Sequence, residues 1–276
     1  MRVFLEILRP MNCLMAGAAA IIGLLIAGVW KIDIAVPIFL TVFLITGAGN
    51  SVNDYFDREI DAVNRPKRPI PSGRISSDAA LKWSLVLFVS GCVLAGLVNR
   101  FCLGLAVVSA SLLFFYARNL KAMPLAGNLC VAYLTGSTFV FGGAAFGYTG
   151  MEANIIPFFL SFLATMSREI VKAIEDIEGD RQGNAKTLPI LAGEKASGVL
   201  AIIFAAAAVC LSYLAPFGNA YIVVVSLADI LFVVSIIKIV KGDASGAQHA
   251  LKLGMAVALV SFLAAALMQN AYLWAR

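Results

Sequence analysis

The stretch IAVPIFLTVFLITGAGNSVNDYFDREID, residues 34–61, runs from a band of hydrocarbon side chains straight into four carboxylates. Its apolar part has the length of a membrane span, since a helix needs about 20 apolar residues to cross roughly 30 Å of hydrocarbon. Its acidic part, NDYFDREID at 53–61, has a counterpart in REIVKAIEDIEGD at 168–180, and the two together hold nine of the chain's 16 Asp and Glu residues. A carboxylate at bilayer depth costs roughly 2.5–3.5 kcal/mol, so nine left bare would exceed the roughly 5–15 kcal/mol by which a whole protein is stable. These acids must meet water, a counter-ion or a metal.

The rest of the chain reads as hydrocarbon. At 61% hydrophobic and 13% charged over 276 residues, it falls far from a soluble domain, in which about a quarter of residues are charged. Nine apolar stretches can be placed, at about 12–30, 34–56, 79–98, 101–118, 125–147, 154–176, 196–214, 219–240 and 248–273. The long alternation of transmembrane β-strands is missing, and Ala, Gly and Leu are abundant, which suits close helix packing. The expectation is an all-α membrane protein, a bundle of about nine transmembrane helices forming a single domain over residues 1–276. The first apolar stretch follows Arg2 and Arg9 and offers small residues at Ala18 and Ala20, but it runs on to Val29 and reads as a full span rather than a cleaved leader.

Charge sets the orientation. With nine spans, 18 of the 21 Lys and Arg residues fall on one side, leaving Lys31, Arg100 and Arg276 on the other. The positive-inside rule then puts the N-terminus and both acidic clusters in the cytoplasm and the C-terminus outside. A net charge of +5 also favours anionic lipid and asks for no nucleic acid. Cys13, Cys92, Cys102, Cys130 and Cys210 stand singly within spans and read as packing residues, and His249 reads as an interfacial side chain.

The acidic clusters share a design. Each is followed by a basic stretch containing proline, NRPKRPIPSGRIS after Asp61 and RQGNAKTLPILAGEKAS after Asp180. Setting Asp57 on Asp176 brings Lys67, Pro71 and Gly73 close to Lys186, Pro189 and Gly193, a period of 119 residues or about four spans. Duplication of a four-helix unit, plus one helix, produces that pattern, and sites in such folds lie at the repeat interface. Asn53, Asp57 and Asp61 recur every four residues, about 6 Å of rise and 40° of drift per step. All three line one helix face, with Asp54 beside them. Glu169, Lys172, Asp176 and Asp180 form a second stripe.

Facing carboxylates repel one another, so the arrangement makes sense with cations between them. Magnesium is typically held by one or two carboxylates plus substrate phosphates, which makes Asn53, Asp54, Asp57, Asp61, Asp176 and Asp180 the metal candidates. Arg65, Lys67, Arg68, Lys121, Arg181 and Lys186 are then placed to bind a diphosphate. Either cluster alone would read as solvated loop charge; two on one side, each with a basic stretch behind it, point to a metal-diphosphate site. In a site open to lipid, the diphosphate of an isoprenoid is the leaving group this equipment suits. Tyr116 and Lys121, in YARNLKAMPLAGN, fit an interfacial belt and a topology signal as well as they fit the site, and Arg9 and Asn12 before the first span are equally two-sided. Asp229, mid-span in VVVSLADILFVV, must point into the bundle.

In these pieces the chain resembles the UbiA-type intramembrane prenyltransferases. The family's N-x-x-x-D-x-x-x-D matches Asn53, Asp57 and Asp61, its D-x-x-x-D matches Asp176 and Asp180, and Tyr116 to Lys121 is similar to its tyrosine-lysine element. The resemblance implies magnesium, a prenyl diphosphate lying in an apolar, laterally open tunnel, and catalytic roles for Asp57, Asp61, Asp176, Asp180, Tyr116 and Lys121. Lys172 stands where many members carry a further acid, one turn before the second motif. An ammonium there suits an acceptor that itself bears phosphate. NSVNDYFDREIDAVNRPKRPIPSG and REIVKAIEDIEGD are similar to the archaeal branch that makes digeranylgeranylglyceryl phosphate for ether lipids, which implies geranylgeranyl diphosphate as donor and geranylgeranylglyceryl phosphate as acceptor. The alternatives are an aromatic quinone or haem precursor as acceptor and, more distantly, an ion-coupled transporter. Acids confined to span ends on one side argue against the last.

Overall fold

Residues 2–28, 31–182 and 185–274 are described by the structure, a computed structural model. Of Ala122, Gln182 and residues 269–274 only the backbone is described. Val29 and Trp30, at the end of the first expected span, and Arg276 lie outside the described residues.

Hydrocarbon cannot hydrogen-bond a bare amide, so a chain this apolar satisfies its backbone within helices. Among the described residues there are helices, 3-10 turns and connecting loops, and no strand. Nine helices have 17 or more residues: α1 (Pro10–Ile26), α2 (Ile32–Phe56), α3 (Ser77–Val98), α4 (Arg100–Arg118), α5 (Ala126–Gly143), α6 (Ile155–Glu175), α7 (Glu194–Ser212), α8 (Gly218–Val240) and α9 (Ala244–Trp274). Each sits on an expected apolar stretch, with ends shifted by four residues or fewer. Among the described residues seven helical stretches are long and apolar enough to cross a membrane. α1 is shorter at 17 residues, and α6 carries Arg168, Glu169, Lys172 and Glu175 in its last two turns. Those charges belong to the site.

Local chemistry fixes the ends. Ser76 caps α3 by accepting from the Ala79 amide at 3.2 Å. Asn99, extended at φ −172°, makes the whole turn between α3 and α4: its Oδ1 accepts from Phe101 and Cys102, and its Nδ2 donates to the Ala144 and Ala145 carbonyls. α5 stops short of the expected 147 because the chain tightens to a 3-10 turn at Ala144–Phe146. Gly147, at φ +71°, then restarts a helix over Gly147–Ala153.

Two buried cores form. One gathers residues of the chain's first five elements, such as Ile38, Val52, Leu87 and Phe88. The other gathers Met166, Ile170, Tyr221, Leu251 and Phe262 from α6, α8 and α9. α1 and α5 contribute to both and cross at van der Waals closeness. A Cβ on Gly142 would lie 1.9 Å from the Ala20 carbonyl oxygen, and one on Gly23 would lie 2.2 Å from that of Phe139. Only glycine allows this crossing. Buried Asn154 ties it down, its Nδ2 donating to the carbonyls of Gly23 and Gly150 at 2.9 Å each. Around this seam α2 packs on α1, α3 and α4, while α6 packs on α5, α7 and α9. The C-terminal ends of α2 and α6, which carry the acid motifs, are thereby set on either side of a central space.

Candidate active site

Both acid motifs stand at a break in their helix. α2 stops at Phe56, Asp57 takes φ −84° and ψ 0°, and a short helix Arg58–Asn64 follows. α6 stops at Glu175, Asp176 takes φ −87° and ψ 3°, and Ile177–Gln182 follows. The i to i−4 amide bonds nevertheless carry through: Asp57 N to Asn53 O is 2.9 Å and Asp61 N to Asp57 O 2.8 Å, while Asp176 N to Lys172 O and Asp180 N to Asp176 O are both 2.9 Å. The four-residue spacing therefore keeps its face despite the break. An equivalent backbone at equivalent motif positions is what duplication of a helical unit predicts.

A cavity of about 2380 Å³ lies between the motifs. Asn53, Asp57 and Asp61 line it from the α2 side, and Asp176 and Asp180 from the α6 side. Arg9, Asn12, Arg65, Arg68, Tyr116, Lys121, Lys172 and Lys186 line it as well. Three of the residues expected at the site do not. Asp54 is one step of about 100° round the helix from Asn53, buried, and bonded to Arg9 and to Arg68, the latter at 3.3 Å. Lys67 lies on the following loop, where its carbonyl accepts from Arg74 at 2.7 Å. Arg181 turns to Glu178 at 3.6 Å.

The first motif's acids are engaged by cations. Asp57 takes the Lys121 ammonium and the Asn53 amide, the latter at 2.9 Å, and Asp61 takes Arg68. Arg9 reaches Asp54 from a left-handed backbone, φ +53°, immediately before Pro10. That conformation costs a non-glycine residue roughly 1–2 kcal/mol; its position places the guanidinium at the mouth of α1. The second motif is barer. Asp176 is exposed to the cavity, and burial, with the Asp176 charge adding to it, holds the Asp180 carboxyl above the usual carboxylate range.

Among the described residues no three acid, imidazole or thiol groups are gathered into a ready-made metal cluster. The donor set still fits magnesium. That ion demands few protein ligands and completes its shell with water and substrate phosphate, and here two pairs of carboxylates open on one cavity with cations beside them.

Away from the acids the cavity turns apolar. Leu113, Leu134 and Leu160 line it, followed by Phe139, Tyr221 and Phe262, whose rings pack at 5.4–5.8 Å. Sequence reading passed over several residues of this wall, among them Asn128, Arg168, Thr187 and Lys252. Arg168 pairs with its neighbour Glu169. Asp229 is also in the wall, buried and accepting from Ser212 at 2.8 Å.

A binding pocket that is acidic and basic at one end and hydrocarbon at the other now has a counterpart among known proteins: residues 16–260 match the UbiA prenyltransferase family. The chain belongs to that family. It is a multi-pass membrane prenyltransferase. The chain is 53% identical over 261 residues to the digeranylgeranylglyceryl phosphate synthase of Methanothrix thermoacetophila, covering 94% of this chain and 97% of that one. It is 40% identical to the synthase of the same name from Thermococcus kodakarensis, covering 97% and 99%. Among solved structures, one described as a digeranylgeranylglyceryl phosphate synthase in membranes superposes with TM-score 0.84 at 38% identity, covering 96% of this chain and 98% of that one. A UbiA homolog from Archaeoglobus fulgidus, solved bound to GPP and Mg2+, shares the UbiA fold at TM-score 0.70 and 18% identity, covering 93% and 99%.

Proposed function

We propose that this enzyme transfers a geranylgeranyl group from its diphosphate to the free hydroxyl of geranylgeranylglyceryl phosphate, releasing diphosphate, in a magnesium-dependent step of archaeal ether-lipid synthesis. The observation that carries the reading is the single cavity lined by both acid motifs at one end and by hydrocarbon at the other. The names of the related synthases support the choice of donor and acceptor.

Asp57, Asp61, Asp176 and Asp180, with Asn53, are the residues that would hold magnesium. The bound ion supplies Lewis-acid neutralisation of the departing diphosphate. Arg65, Arg68, Lys121 and Lys186 meet phosphate oxygens, and as a diphosphate arrives Lys121 and Arg68 exchange carboxylate partners for phosphate. The C1–O bond breaks toward an allylic cation. Apolar walls and the aromatic cluster keep water from it, and the acceptor oxygen closes on C1. Tyr116 and the acids of the second motif are the groups within the cavity that orient that hydroxyl, and a carboxylate of the second motif takes its proton. The N-terminus and the acid motifs face the cytoplasm, the C-terminus the outside, following the charge asymmetry of the sequence.

The test is product analysis by mass spectrometry of purified enzyme given geranylgeranyl diphosphate, magnesium and a panel of acceptors. The reading expects digeranylgeranylglyceryl phosphate. Turnover of 4-hydroxybenzoate or a naphthoate, with none of the glyceryl phosphate, would replace it with an aromatic acceptor.

A further inference from the structure

Resting on that reading, we infer that Lys252, together with Lys172, binds the phosphate of the acceptor on the α6–α9 wall, one turn inward of the second acid motif. α6 and α9 run antiparallel, and the Gln248 amide donates to Glu175 at 2.7 Å, which sets their register at the acid-motif end. Lys172 is one turn inward from Glu175 on α6. Lys252 is one turn inward from Gln248 on α9. Both therefore lie at about one level, and both line the cavity.

The charge of Lys252 is open to a ligand. Arg9, Arg68 and Lys121 are ion-paired with the acids of the first motif, and Arg168 with Glu169. Among the described residues Lys172 and Lys252 are in no ion pair, and both are exposed to the open cavity. Two ammoniums face one space, Lys172 sharing its charge with Asp180 and Lys252 in no ion pair, and together they are matched by an anion such as a phosphate monoester.

The face below them says what carries that phosphate. From Lys252 the cavity-lining stripe of α9 continues through Met255, Leu259 and Phe262, about 15 Å of apolar surface at 1.5 Å per residue. A cation followed by a hydrocarbon track is complementary to an anionic head followed by a hydrocarbon chain. Free inorganic phosphate would use the head and waste the track, and a small aromatic acid would lack the length for it. The wall thus selects a phosphate-headed lipid, while the diphosphate is left to the motif acids and to Arg65, Arg68, Lys121 and Lys186.

The experiment compares wild type with Lys252→Gln and Lys252→Arg in neutral detergent, measuring KM separately for geranylgeranyl diphosphate and for geranylgeranylglyceryl phosphate. It includes the dephosphorylated alcohol as a second acceptor and inorganic phosphate as a competitor. Lys252→Gln should raise the acceptor KM about tenfold, the loss of one charge-assisted contact, and leave the donor KM where it was. Its preference for phosphate over alcohol should fall by the same factor, Lys252→Arg should retain most of it, and inorganic phosphate should compete weakly. Equal rises in both KM values, no change in either, an unaltered preference for the phosphate, or competition by inorganic phosphate as strong as by the lipid would overturn the inference. Failure of the wild type to use the glyceryl phosphate at all would instead remove the functional reading beneath it.

Discussion

Asp54 and Asp57 stand three residues apart in one acid-rich motif, yet they face different ways. Asp57 lines the cavity, while Asp54 is buried against Arg9 and Arg68. Asp57→Asn should therefore lower magnesium-dependent pyrophosphate release by about 10²–10³-fold, the usual loss when one electrostatic contributor to a transition state is removed. Asp54→Asn should act first on the fold, lowering stability by about 1–3 kcal/mol because the buried carboxylate's charge-assisted bonds to half-buried Arg9 and Arg68 are lost. Thermal unfolding alongside pyrophosphate release separates the two; an Asp54 variant with wild-type stability and no turnover would make that carboxylate a direct participant. This pair also marks how far the sequence could be read. The four-residue spacing of Asn53, Asp57 and Asp61 announced one face, and the structure brings those three together with Asp176 and Asp180. Asp54 was counted with them because adjacency in sequence carries no direction: one residue is about 100° of helix. Lys252 went unnoticed for the opposite reason. Lysines at the inner ends of spans are common, and only its place at the head of an apolar stripe sets it apart.

At the scale of elements, hydropathy located all nine long helices because hydrocarbon leaves an apolar chain little choice but helix. It missed the short helices Arg58–Asn64, Ile177–Gln182 and Leu188–Ala192, where charge and proline obscure any apolar period. The α1–α5 crossing was illegible too, since its signal is the absence of a side chain. Two glycine substitutions test it. Gly142→Ala drives a methyl into the Ala20 carbonyl and should lower the unfolding midpoint, at a cost of about 1–3 kcal/mol or more. Gly104→Ala, with nothing within 4 Å, should be neutral or stabilise α4 by up to about 1 kcal/mol. Equal effects would mean that α1 and α5 do not touch there. The loop after the first motif is held by Arg74, which donates to both oxygens of Glu6 at 2.6 and 2.8 Å and draws that carboxyl below its ordinary range. A depressed folded value means the contribution is complete above the unfolded pKa and fades as pH falls through the folded one. Amide-exchange protection of residues 67–75 should weaken below the ordinary carboxylate range in wild type and lose that pH dependence in Glu6→Gln.

The whole molecule is two packed cores sharing α1 and α5, with one acid motif delivered from each side into the space between. The repeat of 119 residues in the sequence and the matching backbone at Asp57 and Asp176 describe one architecture at two scales. On the proposed function, acids from both halves act on one diphosphate as a unit, and groups acting as a unit are grossly non-additive in kinetics. The most direct test is magnesium-dependent pyrophosphate release by Asp57→Asn, by Asp176→Asn and by the double variant. The account predicts that each single change removes nearly all activity and that the double is little worse than either. Wild-type release by Asp176→Asn, or losses that multiply in the double variant, would contradict a shared site.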